Sequence, residues 1–286
     1  MNEGMAAGQN ERTAPFQVIV WGARGSTPMA GPRFTRYGGN TICIEVRCGS
    51  EVLFFDAGTG IIPAGIDILS RSLDKIGLFL THSHYDHIQG LPFFVPLHKP
   101  NMAVAIASAH MEGQMTTHEI VEGVMRPPYF PVGPDIFKAA VSYKDFMPGD
   151  VLEPGPGIVM RTGRLCHPGG ATGYRIEFAG RVLAIITDTE HTPGELDRNV
   201  LKLIEGADLL LYDSAYSDEE MEKYHGFGHS SWQQAIRLAE AGGVKAIGLL
   251  HHSLMHADDE LDRIARLAAE RFPCAHVVRD SQLFEL

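Results

Sequence analysis

The sequence predicts an α/β protein whose functional groups gather where strands end. Two observations carry this expectation. Short apolar runs recur along the 286 residues, and several stop at a histidine or an aspartate rather than at an ordinary turn residue. Helical spacings and glycine-containing loops lie between those runs, the order expected when strands alternate with helices. In α/β folds the site forms beyond the carboxyl ends of the strands.

The most informative run is Ile76–Leu80, which leads into Thr81-His82-Ser83-His84-Tyr85-Asp86-His87. It reads as a buried strand ending at a polar loop. Imidazole nitrogen and carboxylate oxygen both coordinate zinc-like ions, and this loop offers four such side chains within six residues. So short a loop does not bring all four to one ion. His82 and His84 pointing one way, with Asp86 and His87 pointing another, predicts two metals side by side.

The preceding segments read as strands at Phe16–Trp21, Ile42–Val46 and Val52–Phe55, then a helix from about Pro63 to Ser70. The glycines of Gly22-Ala23-Arg24-Gly25-Ser26 suit either a hairpin turn or a backbone that approaches another group closely. Asp56-Ala57-Gly58-Thr59-Gly60 lacks the full glycine spacing of a dinucleotide fingerprint. Beyond the histidine loop come a turn or helix at Ile88–Phe94, a strand at Val104–Ala107 and a helix over Met111–Met125. His118 on that helix reads as a packing or surface residue. The proline-rich stretch from Arg126 to Val132 suits a lip over the site or a plain loop.

Two further strands are expected near Ala139–Tyr143 and Ile158–Arg164, and the second half then repeats the strand-end pattern. Arg161–Cys166 leads to His167, Arg181–Ile186 to Asp188, Asp208–Tyr212 to Asp213, and Ala246–Leu250 to His251 and His252. Gly228-His229-Ser230-Ser231 precedes a helix at Trp232–Ala241. Neighbouring residues on an extended segment face opposite ways, so one of His251 and His252 reaches the metals.

Composition narrows the classes. A formal net charge of −11 argues against a nucleic-acid partner held by general phosphate attraction. A small phosphate ester bound at a metal stays compatible with that charge. The four cysteines, Cys43, Cys48, Cys166 and Cys274, are widely spaced and read as buried thiols in a reducing compartment. There is no apolar run of about 18 residues, so no membrane span is expected. Met1–Ala14 lacks the apolar segment of a signal peptide and reads as a frayed tail. Residues 15–286 read as one domain, with the cytoplasm as the default location.

Ile76 to Gly90 resembles the metal-binding signature of the metallo-β-lactamase-fold hydrolases. The likeness extends from about Phe16 to Leu286 and includes Arg36–Thr41, Asp56–Gly60 and Thr187–Glu190. It implies a four-layer αβ/βα sandwich with a dimetal site at one edge. His82, His84 and His167 then hold one ion, Asp86, His87 and His251 hold the other, and Asp188 bridges them. The family's last ligand directly follows the strand, which favours His251 over His252. Asp56 is similar to a structural aspartate that braces the metal loop.

Tyr212-Asp213 together with Gly228-His229-Ser230-Ser231 resembles the ribonuclease Z-like and cyclic-nucleotide-phosphodiesterase-like branch. There an acidic residue orients a histidine that protonates the leaving alkoxide. The catalytic group is thus expected to be His229 and Asp213, together with Asp86. The implied cofactor is two divalent ions, zinc first, with manganese and iron compatible with the same donors. The implied substrate is a small phosphodiester such as a cyclic nucleotide. No long Gly/Lys-rich arm like that of tRNA-processing members occurs, which argues against tRNA. The alternatives are a thioester or lactone hydrolase, an RNA 3′-processing ribonuclease and a non-catalytic metal-dependent binding protein. Homodimerisation is left open.

Overall fold

In the computed structural model, residues 14–286 are described. The tail expected over Met1–Ala14 therefore falls, apart from Ala14, outside the described residues.

Fourteen strands among the described residues form two seven-stranded sheets. The first sheet begins with an antiparallel meander, β1 (Phe16–Gly22), β2 (Cys43–Cys48) and β3 (Glu51–Phe55). It continues in parallel through β4 (Lys75–Phe79), β5 (Ala103–Ser108) and β6 (Ala140–Asp145). The second sheet has its own meander, β7 (Val151–Leu152), β8 (Val159–Leu165), β9 (Ala171–Phe178) and β10 (Arg181–Ile186). Parallel strands β11 (Leu209–Asp213), β12 (Ile247–Leu250) and β13 (Ala275–Val277) complete it. Finally β14 (Gln282–Glu285) returns to pair antiparallel with β1.

The strand period of two explains the layers. Leu183 and Ile185 point into a central cluster shared with Val18, Val46 and Phe55 of the other sheet. Their neighbours Ala184 and Ile186 point outward, against Trp232, Ile236 and Ile264. Those three sit on α6 (Trp232–Ala241) and α7 (Asp258–Arg271). The first sheet is arranged likewise: Val52 and Phe54 face outward to Ile61 and Ile68 of α1 (Ile61–Ile68) and to Ile120 of α3 (Thr117–Val124). Strands buried on both faces read as unbroken apolar runs, which is why the sequence showed them so clearly. The result is an αβ/βα sandwich.

The expected elements hold with small shifts. The first helix starts two residues before Pro63, and the helix expected over Met111–Met125 is only Thr117–Val124. Gly113, at φ +69°, lies in a turn ahead of it, and Thr116 caps the helix through a capping box with Glu119. The elements absent from the sequence reading are β7, β9, β13 and β14, with α4 (Arg198–Ile204), α5 (Asp218–Tyr224) and α7. The cysteine expectation needs correcting. Cys43 and Cys48 are buried, but Cys166 and Cys274 are exposed, because each falls where a strand gives way to, or emerges from, a surface turn. No helix among the described residues is long and apolar enough to cross a membrane.

Candidate metal centre

Strand ends from both sheets converge on one edge of the sandwich. After β4 the chain turns through Thr81–His84 into the one-turn α2 (Tyr85–Ile88), which buries Asp86 and His87. His167 follows β8, Asp188 follows β10 and His251 follows β12. Asp56, Asp188 and His251 have φ of 62°, 46° and 62°. Non-glycine residues visit this left-handed region at a cost of order 1–3 kcal/mol, and such residues cluster at functional sites.

Seven side chains form two groups of donors. His82, His84 and His167 form the first, and Asp86, His87, Asp188 and His251 the second; within each group the donor atoms lie within 4.8 Å of one another. His84 Nδ1 is 3.0 Å from His82 Nε2 and 2.9 Å from His167 Nε2. Asp188 lies between the groups. Its Oδ1 is 3.2 Å from His87 Nε2, and its Oδ2 is 3.2 Å from His251 Nε2 and 3.6 Å from His82 Nε2. Asp86 Oδ2 is 3.3 Å from His87 Nε2 and 3.2 Å from His251 Nε2.

The surrounding hydrogen bonds set the tautomers. Thr81 donates its backbone N–H to Asp56 Oδ1 and its hydroxyl to Asp56 Oδ2, each at 2.7 Å. Having spent its proton on Asp56, the Thr81 hydroxyl accepts from His82 Nδ1 at 3.1 Å. His87 Nδ1 donates to Asp56 Oδ2 at 2.7 Å, and His167 Nδ1 donates to the Gly228 carbonyl at 2.8 Å. With Nδ1 protonated, all three imidazoles aim an Nε2 lone pair inward, the form in which histidine binds metal.

The donors fit divalent cations. His87 Nε2 and Asp188 Oδ1 are buried without a hydrogen-bond donor, although they face each other at 3.2 Å. A lone pair set against a carboxylate oxygen repels unless a cation or proton intervenes. Charge balance agrees. Burial lowers the pKa of His82, His84 and His167, keeping these imidazoles neutral. Burial works against charge on Asp188 too, but His251, His87 and His82 outweigh it and hold the carboxyl well below its usual range. Burial likewise opposes protonation of His87 and His251, yet Asp188 and its neighbours hold both well above the ordinary imidazole value. The carboxylates demand positive charge at that point, and a divalent cation would supply it.

His252 does not join the cluster. Its Nε2 lies 2.7 Å from the Val278 carbonyl, and burial depresses its pKa to about 3. His118 also stays apart, half exposed beside Glu122 and Tyr143. His229 Nδ1 lies 2.9 Å from the buried Asp213 Oδ2, and its ring stacks on His251 with centroids 4.5 Å apart. The proline-rich stretch carries an exposed Tyr129, and Phe130 meets Phe93 edge to face at 5.7 Å.

Sequence reasoning missed five contributors. The Thr81 hydroxyl and the Gly228 carbonyl fix histidines, as described. The backbone N–H of Ser26 donates to Asp86 Oδ2 at 2.7 Å. Gly25 packs against His251 so tightly that a Cβ there would lie 2.2 Å from the ring. Its place in a glycine-flanked loop was the available signal. The fifth is Glu190, whose carboxylate accepts from the backbone N–H groups of Gly226 and Gly228 at 2.8–3.0 Å and pairs with His225.

This arrangement defines the class: a metal-dependent hydrolase built on an αβ/βα sandwich. The chain belongs to the β-lactamase superfamily, whose domain matches residues 52–252. It is similar to a ribonuclease Z from Lactiplantibacillus plantarum, at 22% identity over 83% of this chain and 88% of that protein. A ribonuclease Z from Myxococcus xanthus is 27% identical over 76% and 82% of the two chains. Among solved structures, the metallo-β-lactamase-fold protein YhfI from Bacillus subtilis superposes with a TM-score of 0.71 at 18% identity, covering 94% of this chain and 99% of that one. Zinc-bound PqqB from Methylobacterium extorquens gives 0.70 at 18%, covering 94% and 100%. A diphosphatase of the PhnP family gives 0.68 at 17%, covering 95% and 97%. With ribonucleases by name among the relatives, the expectation against nucleic-acid partners finds no support.

Proposed function

We propose that the protein is a phosphodiesterase with two divalent ions, residues 15–286 forming one hydrolase unit. His82, His84 and His167 would hold one ion and Asp86, His87 and His251 the other, with Asp188 between them. Bound there, the ions supply a nucleophilic hydroxide near neutral pH and neutralise charge on the phosphoryl oxygens.

The observation that carries the reading is the Asp213–His229 pair, 2.9 Å apart and beside Asp188. A carboxylate on Nδ1 leaves His229 Nε2 to carry the transferable proton. When a water-derived oxygen bonds to phosphorus and the opposite P–O bond breaks, His229 would give that proton to the departing alkoxide. An alkoxide is a poor leaving group, so this help matters, whereas a thioester, which expels a thiolate, gains less from it. Asp86 keeps its charge and fixes the second group of donors through His251, with Ser26 N–H on the same oxygen.

The substrate we favour is a small phosphodiester such as a cyclic nucleotide, with zinc as the ion and the cytoplasm as the site of action. The names of the relatives support a second reading, in which the same chemistry cuts RNA. The test is hydrolysis of bis(p-nitrophenyl) phosphate, a nucleoside 2′,3′-cyclic phosphate and a 3′-extended tRNA by metal-quantified protein, beside His229→Ala. Two ions per chain, with diester cleavage that falls in the variant, support the reading. Two ions with hydrolysis of carbonyl esters alone would overturn it.

A further inference from the structure

The loop between α5 and His229 presents one aromatic ring to solvent, two residues before His229. Phe227 is 58% exposed, between Gly226 at φ +88° and Gly228 at φ +85°. This backbone favours glycine on either side of the ring. Glu190 holds the loop by accepting from the N–H groups of Gly226 and Gly228 and by pairing with His225. On the inner side a Cβ at Gly228 would lie 2.3 Å from His167 Nδ1, so the loop has no room to shift inward. The ring is therefore held one residue from the carbonyl that orients His167 and two residues from His229.

Behind it runs a column of rings. Phe227 meets Tyr224 edge-on at 5.7 Å, Tyr224 stacks on Tyr216 at 4.4 Å with planes 7° apart, and Tyr216 meets His229 edge-on at 6.1 Å. A single exposed apolar side chain usually needs no explanation. This one is different because the Glu190 carboxylate clamps the backbone on both sides of it and two tyrosines support it from behind. A rigid exposed ring gives contact area without an ordering cost on binding. Its free face suits another flat π system.

We propose that Phe227 is a stacking platform for the nucleobase of the substrate, which makes the ligand class a nucleotide phosphodiester rather than a simple sugar or alkyl one. This rests on the phosphodiesterase reading above. Phe227 is a specificity residue: it touches the base and leaves the reacting atoms to the residues already described. Glu190 acts through it as a positioning residue.

Base–aromatic stacking corresponds to roughly tenfold to a hundredfold in binding per base. The test uses metal-loaded protein and two ligand pairs. Turnover is compared on adenosine 2′,3′-cyclic phosphate and on ethylene phosphate, which has no base. Binding is compared by calorimetry for adenosine 5′-monophosphate and ribose 5-phosphate. Phe227→Ala is expected to raise KM for the adenosine diester and Kd for the adenosine monophosphate by that factor, with kcat and both base-free ligands unchanged. Phe227→Trp is expected to keep wild-type values. Equal effects on base-bearing and base-free ligands, or none on either, would overturn the proposal. If no diester turns over, the phosphodiesterase reading falls, and the calorimetric pair still decides whether Phe227 recognises a base.

Discussion

Asp56 Oδ2 lies 2.7 Å from His87 Nδ1, and both side chains are sealed from solvent. The carboxylate also takes both protons that Thr81 offers, so one buried anion governs two histidines of different donor groups. Replacing the outer partner of a ligating histidine typically lowers metal affinity ten- to a hundredfold. Removing one member of a buried pair costs about 3–5 kcal/mol. Asp56→Ala is thus expected to weaken metal binding by one to two orders of magnitude and to lower stability. Chelator competition and denaturant melts measure the two effects, and unchanged affinity would show that Asp56 does not orient the ligands.

His229→Ala is expected to lower kcat on alkoxide-leaving diesters by about two to four orders of magnitude while two ions stay bound. With p-nitrophenolate as leaving group, which departs without a proton, the loss shrinks. Asp213→Asn should show the same dependence on leaving group. A variant loss that is flat across leaving groups would assign His229 another task.

The adjacent histidines should separate cleanly. His251→Ala is expected to leave one tightly held ion per chain. His252→Ala should keep two ions but leave the buried Val278 carbonyl unpaired, at a cost of about 1–3 kcal/mol. Metal counting and thermal melts on both variants check this. Loss of an ion from the His252 variant would contradict the geometry.

Stability should also depend on pH through His110. Burial, with His84 and His87 nearby, pushes its pKa down to about 4 from an ordinary 6.5. Its Nε2 meets Ser83 Oγ, and its Nδ1 has no partner. A depressed histidine contributes stability that is complete above about pH 6.5 and declines as pH falls towards 4, by about 3 kcal/mol in all. The expected result is that His110→Phe loses less stability than the parent between pH 6.5 and pH 4. Parallel curves for the two proteins would refute the assignment.

Much of the scaffold was legible because strands buried on both faces announce themselves as apolar runs. Arg181–Ile186 and Trp232–Ala241 were placed to the residue. β7 and β14 were not, since strands of two and four residues with exposed positions leave little hydrophobic pattern. The acidic start of α7 masked its apolar stripe, Leu261, Ile264 and Ala268. At the centre, His82, His84 and Asp188 were visible because their residue types fall at strand ends. Thr81, Gly228 and Glu190 were hidden for a physical reason: they act through a hydroxyl, a carbonyl and a clamp on backbone N–H groups, which any sequence contains in abundance. The sequence left the choice between His251 and His252 to family likeness, and the structure resolves the geometry through the left-handed turn at His251.

That turn has two counterparts among the carboxylates of the centre. Asp56, Asp188 and His251 all sit where an L-amino acid is uncomfortable and glycine is not. For the metal-free chain, each is therefore a place where glycine relieves the backbone while erasing a functional group. Selection for heat resistance alone, without a demand for turnover, would tend to erode these positions early, and stabilised descendants would be inert. A directed-evolution campaign on this scaffold should accordingly screen activity at every round, because thermal survival and catalytic competence pull against each other at these three residues.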